Sequence, residues 1–238
     1  MADKTTTPPA AGSIRARVRA EMIDQIKTIA RRHIEAEGAN LSLRAVARDL
    51  GVVSSALYRY FANRDDLLTA LIIDAYDSLG DAAERADAAV PDRSDVLARW
   101  LAVAHALRTW SVDRPHEYAL IYGSPVPGYA APRDTVEPST RPVMVLGAIL
   151  ADAKAARRLS NENATPIPTA LRLEILRVAE TIGAKVTAPI MARAMIAWTQ
   201  LFGAISFEVF GRLNNTIDHR TDWYDYQART MATFIGLT

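Results

Sequence analysis

Between residues 42 and 64 the chain interleaves hydroxyl and guanidinium side chains: Ser42, Arg44, Ser54, Ser55, Tyr58, Arg59, Tyr60 and Arg64. A solvated surface has no need of outward tyrosines. Tyrosine hydroxyls beside arginines are, in contrast, well suited to hydrogen bonding with phosphate oxygens and base edges. For a nucleic-acid partner the expectation is Arg44, Ser55 and Arg59 nearest the bases, with Ser42, Tyr58, Tyr60 and Arg64 on phosphates. The bland alternative is an αα-hairpin that carries these groups only as surface.

The elements that must position them are readable over Leu41–Leu68. Ser42 is a suitable N-cap, and Leu43, Val46, Ala47 and Leu50 follow at the spacing of one apolar helix face. Gly51 is placed to end that helix in the left-handed conformation. Val52-Val53 then leads to a second short helix, expected to be capped by Ser54 or Ser55, with Leu57 and Phe61 inward. Two short helices about a glycine turn are a helix-turn-helix, whose second helix fits the major groove. Asn63 caps a longer helix with Asp65 and Asp66 in its first turn, and Leu67, Leu68, Leu71, Ile72, Ala75, Tyr76 and Leu79 give it one apolar face.

Gly51, the run Leu57-Tyr58-Arg59-Tyr60-Phe61 and the run Asn63-Arg64-Asp65-Asp66-Leu67-Leu68 together resemble the DNA-binding signature of TetR-family repressors. In that family a Tyr at the place of Tyr58 and a His at that of Tyr60 approach the DNA backbone, and a Lys is common at that of Arg64. Tyr60 replaces the His but keeps a donor, and Val53 stands where Ser or Thr is usual. A second resemblance covers the later chain. Pro115, Tyr118, Gly123, Pro125, Pro127-Gly128-Tyr129 and Pro132, with Trp198 and Gly203, are similar to the ligand domain of a TetR subgroup named for a Trp-His-Gly signature, Phe202 standing in the His place. The resemblance implies double-stranded DNA, a small-molecule effector and a second copy of the chain as partners.

Bulk properties agree with this. The 238 residues, 50% hydrophobic and 23% charged, are ordinary globular composition. Through Arg64 there are eleven Lys/Arg against six Asp/Glu, net +5, while the remaining seventeen against twenty-one give −4. A basic first quarter on an acidic remainder suits phosphate binding by the N-terminal part. There is no cysteine, so thiolate metal sites and disulfides are excluded and a cytoplasmic setting is expected. MADKTTTPPAAGS has no apolar core of a secretory signal, and no membrane span is expected. Residues 1 to 13 read as disordered, followed by a basic stripe of Arg15, Arg17 and Arg19 and an amphipathic helix to Glu37.

Further on, Ser94 is expected to cap a helix bearing Trp100, His105 and Trp110, and Pro115 to open a short helix with Tyr118 and Tyr122. Prolines 125, 127, 132, 138 and 142 predict one long loop from 123, a helix from Val143 to Leu159, and after the linker SNENATPIP another reading to about Val186. Residues 194 to 207 contain no charge, so the helix opened by Pro189 is expected to be covered on both sides, one of them by a second copy. The last helix, Asp222 to Leu237, is expected to join it. Trp100, His105, Trp110, Tyr118, Tyr122 and Met144 are the candidate ligand-binding residues, around a pocket with little fixed charge closed by the 123 to 138 loop. Packing in the core is the plain alternative for each.

Other chemistry is not in evidence. The four histidines stand singly, and there is no P-loop, dinucleotide fingerprint or nucleophile elbow, so no catalytic residue, metal or cofactor is expected. His116-Glu117 reads as surface, and the sequons at Asn163 and Asn214 as chance. The expectation is an all-α protein with a DNA-binding domain over 1–63 and a ligand and dimerisation domain over 64–238, acting as a homodimeric repressor. An activator, an orphan regulator or an all-α enzyme on an apolar substrate are the rivals.

Overall fold

The computed structural model describes residues 11–38, 40–160 and 165–237. Residues 1–10, most of the expected disordered arm, and 161–164, which hold Asn163 of one sequon and part of the linker, lie outside them. The described chain is all-α: α1 Ala11–Glu37, α2 Leu43–Asp49, α3 Ser54–Leu57, α4 Arg64–Ala88, α5 Val96–Asp113, α6 Pro115–Tyr122, α7 Val136–Ala155, α8 Thr169–Thr181, α9 Ala188–Val209 and α10 Arg220–Ile235. It forms two compact units, one running through Ile72 and including 125–131, the other made of 73–124 and 132 onward. The chain thus divides inside α4 by its contacts, where the sequence pattern had suggested 63/64.

In the first unit the apolar spacing produces what it predicts. Ile26, Ala30 and Ile34 of α1, Leu43, Val46 and Ala47 of α2, Leu57, Phe61, Leu67 and Leu68 are all buried. Ser42 caps α2, its hydroxyl accepting from Ala45 N at 3.4 Å. Gly51, at φ +75°, closes α2 with paired bonds from Gly51 N to Arg48 O and from Val52 N to Ala47 O, both 3.0 Å. The expected cap of α3 is corrected: Val53 holds that position in extended conformation without a side-chain bond, because Ser54 and Ser55 already lie within the single turn. Asn63 Oδ1 accepts from Asp66 N at 2.9 Å and caps α4. From the 125–131 segment, the Tyr129 hydroxyl lies 2.9 Å from Thr69 Oγ1.

The second unit is built on α5, which packs against α7, α9 and α10. Asp95, not Ser94, caps α5, accepting from Ala98 N at 2.8 Å, while Asp92 holds Ser94. The long-loop expectation is also corrected, since α7 begins at Val136 and contains Pro142. Pro138 falls in the first turn, where an N–H has no intrahelical partner to lose, and Pro142 sacrifices one bond while burying its ring. At its other end α7 stops at Ala155, before Arg157 at φ +57°. α8 ends at Thr181 rather than Val186 because Gly183 and Lys185 take positive φ. α10 ends at Ile235 on the left-handed Gly236, and Leu237 bridges back to Leu159.

Two arginines hold the part of α4 that belongs to this unit, from residue 73 onward. Arg141 of α7 donates to Asp77 at 2.9 Å, to Glu84 at 2.7 Å and to Asp81. Arg99 of α5, fully buried, donates to Asp87 at 2.7 Å and to Asp152 of α7 at 2.6 Å. Burial pushes the Asp87 carboxyl up, but the hydrogen bonds from Arg99 and Arg93 outweigh it and hold it below the ordinary carboxylate value. α9 is long and apolar enough, by length and composition, to cross a membrane, yet 44% of its apolar window is buried inside the protein, and it packs on α5, α8 and α10.

Candidate nucleic-acid interface

The helix-turn-helix brings its polar residues to the surface in two groups. The first lines a groove of about 420 Å³ floored by Leu41, Leu43 and Ala62 and edged by Ser42, Arg44, Tyr58, Asn63 and Arg64. Ser42 and Arg44 start α2, Tyr58 ends α3, and Asn63 and Arg64 start α4, so three helix ends converge on one concavity. Arg44 and Tyr58 are exposed and Arg64 is partly exposed, reaching Asp65 Oδ1 at 3.3 Å. Hydroxyl, amide and guanidinium donors around one concave surface are chemically matched to phosphate oxygens, and the amino termini of α2 and α4 add partial positive charge.

The second group lies along α3. Ser55 and Arg59 are exposed, and Ser54 and Tyr60 are half-buried. Arg19 of α1 reaches this group, its guanidinium 5.1 Å from the Tyr60 ring centroid. Of the basic stripe, Arg17 pairs instead with Glu21 along α1 at 3.5 Å. Sequence reasoning overlooked the contact of His33 Nε2 with Asp49 Oδ2 at 2.8 Å, which joins α1 to the end of α2. That hydrogen bond, with help from Arg48, holds the Asp49 carboxyl below its ordinary value.

The six candidate ligand residues are dispersed through the second unit. Trp100 and Trp110 are buried, and their indole N–H groups donate to Ala228 O at 2.8 Å and to Ser78 Oγ at 2.9 Å. His105 Nε2 lies 2.9 Å from Asp225 Oδ1. Met144 is exposed. Tyr118 and Tyr122 do share a site: their ring centroids are 5.2 Å apart, and Tyr122 also meets Phe202 at 4.5 Å and Tyr76 at 6.2 Å. The Tyr118 hydroxyl is 2.7 Å from Ser206 Oγ. Burial raises the pKa of both tyrosines above the ordinary phenol value, so both are neutral at physiological pH. Phe202 thus takes part in this cluster, a role that the letter pattern around it did not suggest. Beside the cluster Arg108 and Glu208 form a nearly buried ion pair at 2.6 Å.

Two further grooves open on the second unit. One of about 240 Å³ is lined by Ile167, Leu171, Ile175, Arg193, Ile196 and Phe234 among others; the other, of about 360 Å³, by Gln200, Gly203, Ala204, Phe207, Trp223 and Gln227 with Leu213. Neither contains any of the six candidate ligand residues. Among the described residues no group of three or more His, Asp or Glu is placed to hold a metal ion.

Comparison with known proteins points the same way. The family pattern described as bacterial regulatory proteins, tetR family, matches residues 28–71, and that described as tetracyclin repressor-like, C-terminal domain, matches 100–231. HTH-type transcriptional regulator Rv1816 of Mycobacterium tuberculosis is 39% identical over 225 residues, covering 89% of this chain and 91% of its own; the regulator Mb1846 of Mycobacterium bovis matches equally. The crystal structure of SCO4313, described as a regulatory protein, superimposes with a TM-score of 0.73 at 32% identity, over 95% of this chain and 100% of its own.

Proposed function

The chain belongs to the TetR family of bacterial regulatory proteins, and from that premise we propose that it is a ligand-responsive repressor that binds a near-palindromic operator as a homodimer. It is a transcriptional regulator and not an enzyme. The groove edged by Ser42, Arg44, Tyr58 and Arg64 carries the reading. Its donors come from three separate helix ends, and a backbone phosphate offers oxygen acceptors that match them. DNA rather than a membrane is the partner, in a cytoplasmic setting.

The homodimer reading is supported by the outward face of α9 and α10. Ile196, Phe207, Phe210, Trp223, Tyr226 and Phe234 are exposed there, and large apolar side chains gathered on two neighbouring helices suit burial against a second copy. Gly203 supports it too. It sits exposed in mid-helix, and a Cβ built on it would meet nothing within 4 Å. A mid-helix glycine costs about 1 kcal/mol relative to alanine, a cost that a close-packed second helix would explain.

The effector we expect is a small, neutral, largely apolar molecule, held by aromatic stacking near Tyr118, Tyr122 and Phe202, with Trp100, His105, Trp110 and Met144 as outlying candidates. Its binding would bias α4 and change the separation of the two recognition helices from the roughly 34 Å of one DNA turn. A tenfold loss of DNA affinity needs a coupling of only ~1.4 kcal/mol, and operator must then weaken ligand binding by the same factor. Sequencing the genomic fragments that the protein retains tests the DNA half. Tryptophan fluorescence against apolar and charged compounds, with and without such a fragment, tests the ligand half, since all four tryptophans lie beyond residue 99. Retention without sequence preference would remove the operator. Tightest binding by an ionic compound, or indifference to DNA, would remove the effector class.

A further inference from the structure

The C-terminal end of α3 is gripped from outside by one guanidinium. Arg19, on the exposed first half of α1, donates from Nη1 to the carbonyl oxygen of Arg59 at 3.4 Å and sets its Cζ 5.1 Å from the Tyr60 ring centroid. Both contacts fall where α3 runs out. Regular helix covers only Ser54–Leu57, and the next turn is closed by bonds three residues apart, from Arg59 N to Ala56 O at 3.3 Å and from Tyr60 N to Leu57 O at 2.9 Å. So short a helix has little stability of its own in water, and its direction is set by whatever holds it. Leu57 and Phe61 hold it from the buried side. Arg19 holds it from the other.

We propose that Arg19 is a positioning residue for DNA binding: it fixes the Tyr60 ring and the Arg59 carbonyl so that the Tyr60 hydroxyl and the Arg59 side chain meet the duplex in a set direction, without itself touching a phosphate. The inference rests on the DNA-binding reading above. A guanidinium suits the task because its planar fork donates to a carbonyl while the same group stays over an aromatic ring. A lysine ammonium is a point charge and manages one contact at a time.

The test uses a duplex recovered from random-sequence DNA by retention on the wild-type protein. It is titrated across a range of salt against wild type, Arg19→Ala, Arg19→Lys, Tyr60→Leu and the Arg19→Ala/Tyr60→Leu double variant, with the thermal unfolding of each recorded. Arg19→Ala is expected to lose about two- to fivefold in affinity, the size of one exposed cation–aromatic contact, and Arg19→Lys to recover part of that. The dependence of log affinity on log salt should keep its slope, and Arg19→Ala should cost less in the Tyr60→Leu background than in wild type, since only its bond to the Arg59 carbonyl remains there. If Tyr60→Leu unfolds, Tyr60→Phe, which keeps the packed ring and removes only the hydroxyl, completes the same cycle. A slope lowered by about 0.9, or an equal loss in both backgrounds, would make Arg19 a direct phosphate ligand and overturn the proposal, as would an Arg19→Ala variant of undiminished affinity. If the wild type retained no duplex, the DNA-binding reading itself would fall, and this inference with it.

Discussion

At the scale of single residues the arginines divide by what they face. Arg64 opens α4 at the edge of the groove, with a side chain about a third exposed, and the proposed phosphate contact gives it a distinctive signature. Arg64→Ala should weaken binding to all DNA sequences alike and lower the salt slope by about one, whereas loss of a base contact such as Arg59 should cost ~1 to 3 kcal/mol at one position of the site. Salt-dependent gel shifts decide, and a sequence-selective loss in Arg64→Ala would move that residue to the bases. Arg99 is the opposite case, fully buried between Asp87 and Asp152. The folded Asp87 pKa lies below its unfolded value of 3.8, so its contribution to stability is complete above that value and disappears as pH falls through the folded one. Arg99→Leu removes one of the two arginines that hold Asp87, leaving its carboxylate to Arg93 alone, and should cost ~1.5 to 3 kcal/mol at neutral pH. Below about pH 4 the gap to wild type should narrow as Asp87 protonates in both proteins. Denaturant melts at several pH values check this, and a gap that widens in acid would show that the pair does not control Asp87. The contrast also marks what was legible. Tyr58 could be singled out beside Arg44, Arg59 and Arg64 because an outward tyrosine among arginines has little use on a merely solvated surface, and Ser42 because the cap it makes for α2 is a local signal. Arg99 sits in a stripe of apolar residues, and its carboxylates are 12 and 53 positions away, a pairing that only the fold creates.

Among the elements, those with strong local signals were predicted nearly to the residue. Ser42 and Gly51 bound α2, Asn63 starts α4, and Pro115 opens α6, each through a bond or conformation that one residue type favours. Where two local signals compete, the sequence misleads. Pro138 and Pro142 read as loop, yet α7 runs through both, because the gain from burying Pro142, Val145, Leu146, Ile149 and Leu150 on one face exceeds the loss of one hydrogen bond. Gly147 of α7 is a second property hidden from sequence. It is buried, and a Cβ there would lie 2.1 Å from the carbonyl oxygen of Ile182, which is backbone and cannot swing aside. Gly147→Ala, which should add about 1 kcal/mol of helix propensity, is therefore expected to destabilise the protein by ~1 to 3 kcal/mol, as overpacking does. Thermal unfolding provides the measurement. A variant as stable as wild type would mean that the end of α8 can yield.

For the whole molecule, the question the sequence raised was what covers the uncharged stretch from 194 to 207. Half of the answer is internal: Ala194, Ala197, Leu201, Phe202, Ala204 and Ile205 are buried against the chain's own helices. The periodicity could not separate that half from the other, since small and apolar residues occupy every face of α9. The fold separates them. Ala204 is 9% exposed and Phe207 is 57% exposed, so the same charge has different consequences at two positions one turn apart. Ala204→Asp would place a carboxylate in the chain's own core and lower the folding stability of each copy by several kcal/mol, whatever the oligomeric state. Phe207→Asp leaves that core untouched. If a second copy packs on α9 and α10, the new carboxylate is buried unpaired at the interface, and several kcal/mol of association is lost. Sedimentation across a range of protein concentration is then expected to show a wild-type dimer and a folded Phe207→Asp monomer, with DNA affinity reduced because the two half-sites are no longer engaged together. The melting temperature of Phe207→Asp must be taken at matched concentration, since a dimer's stability includes its association. A Phe207→Asp protein that sediments as wild type and binds DNA equally well would take this face out of the dimer and leave its exposed aromatic residues to some other partner.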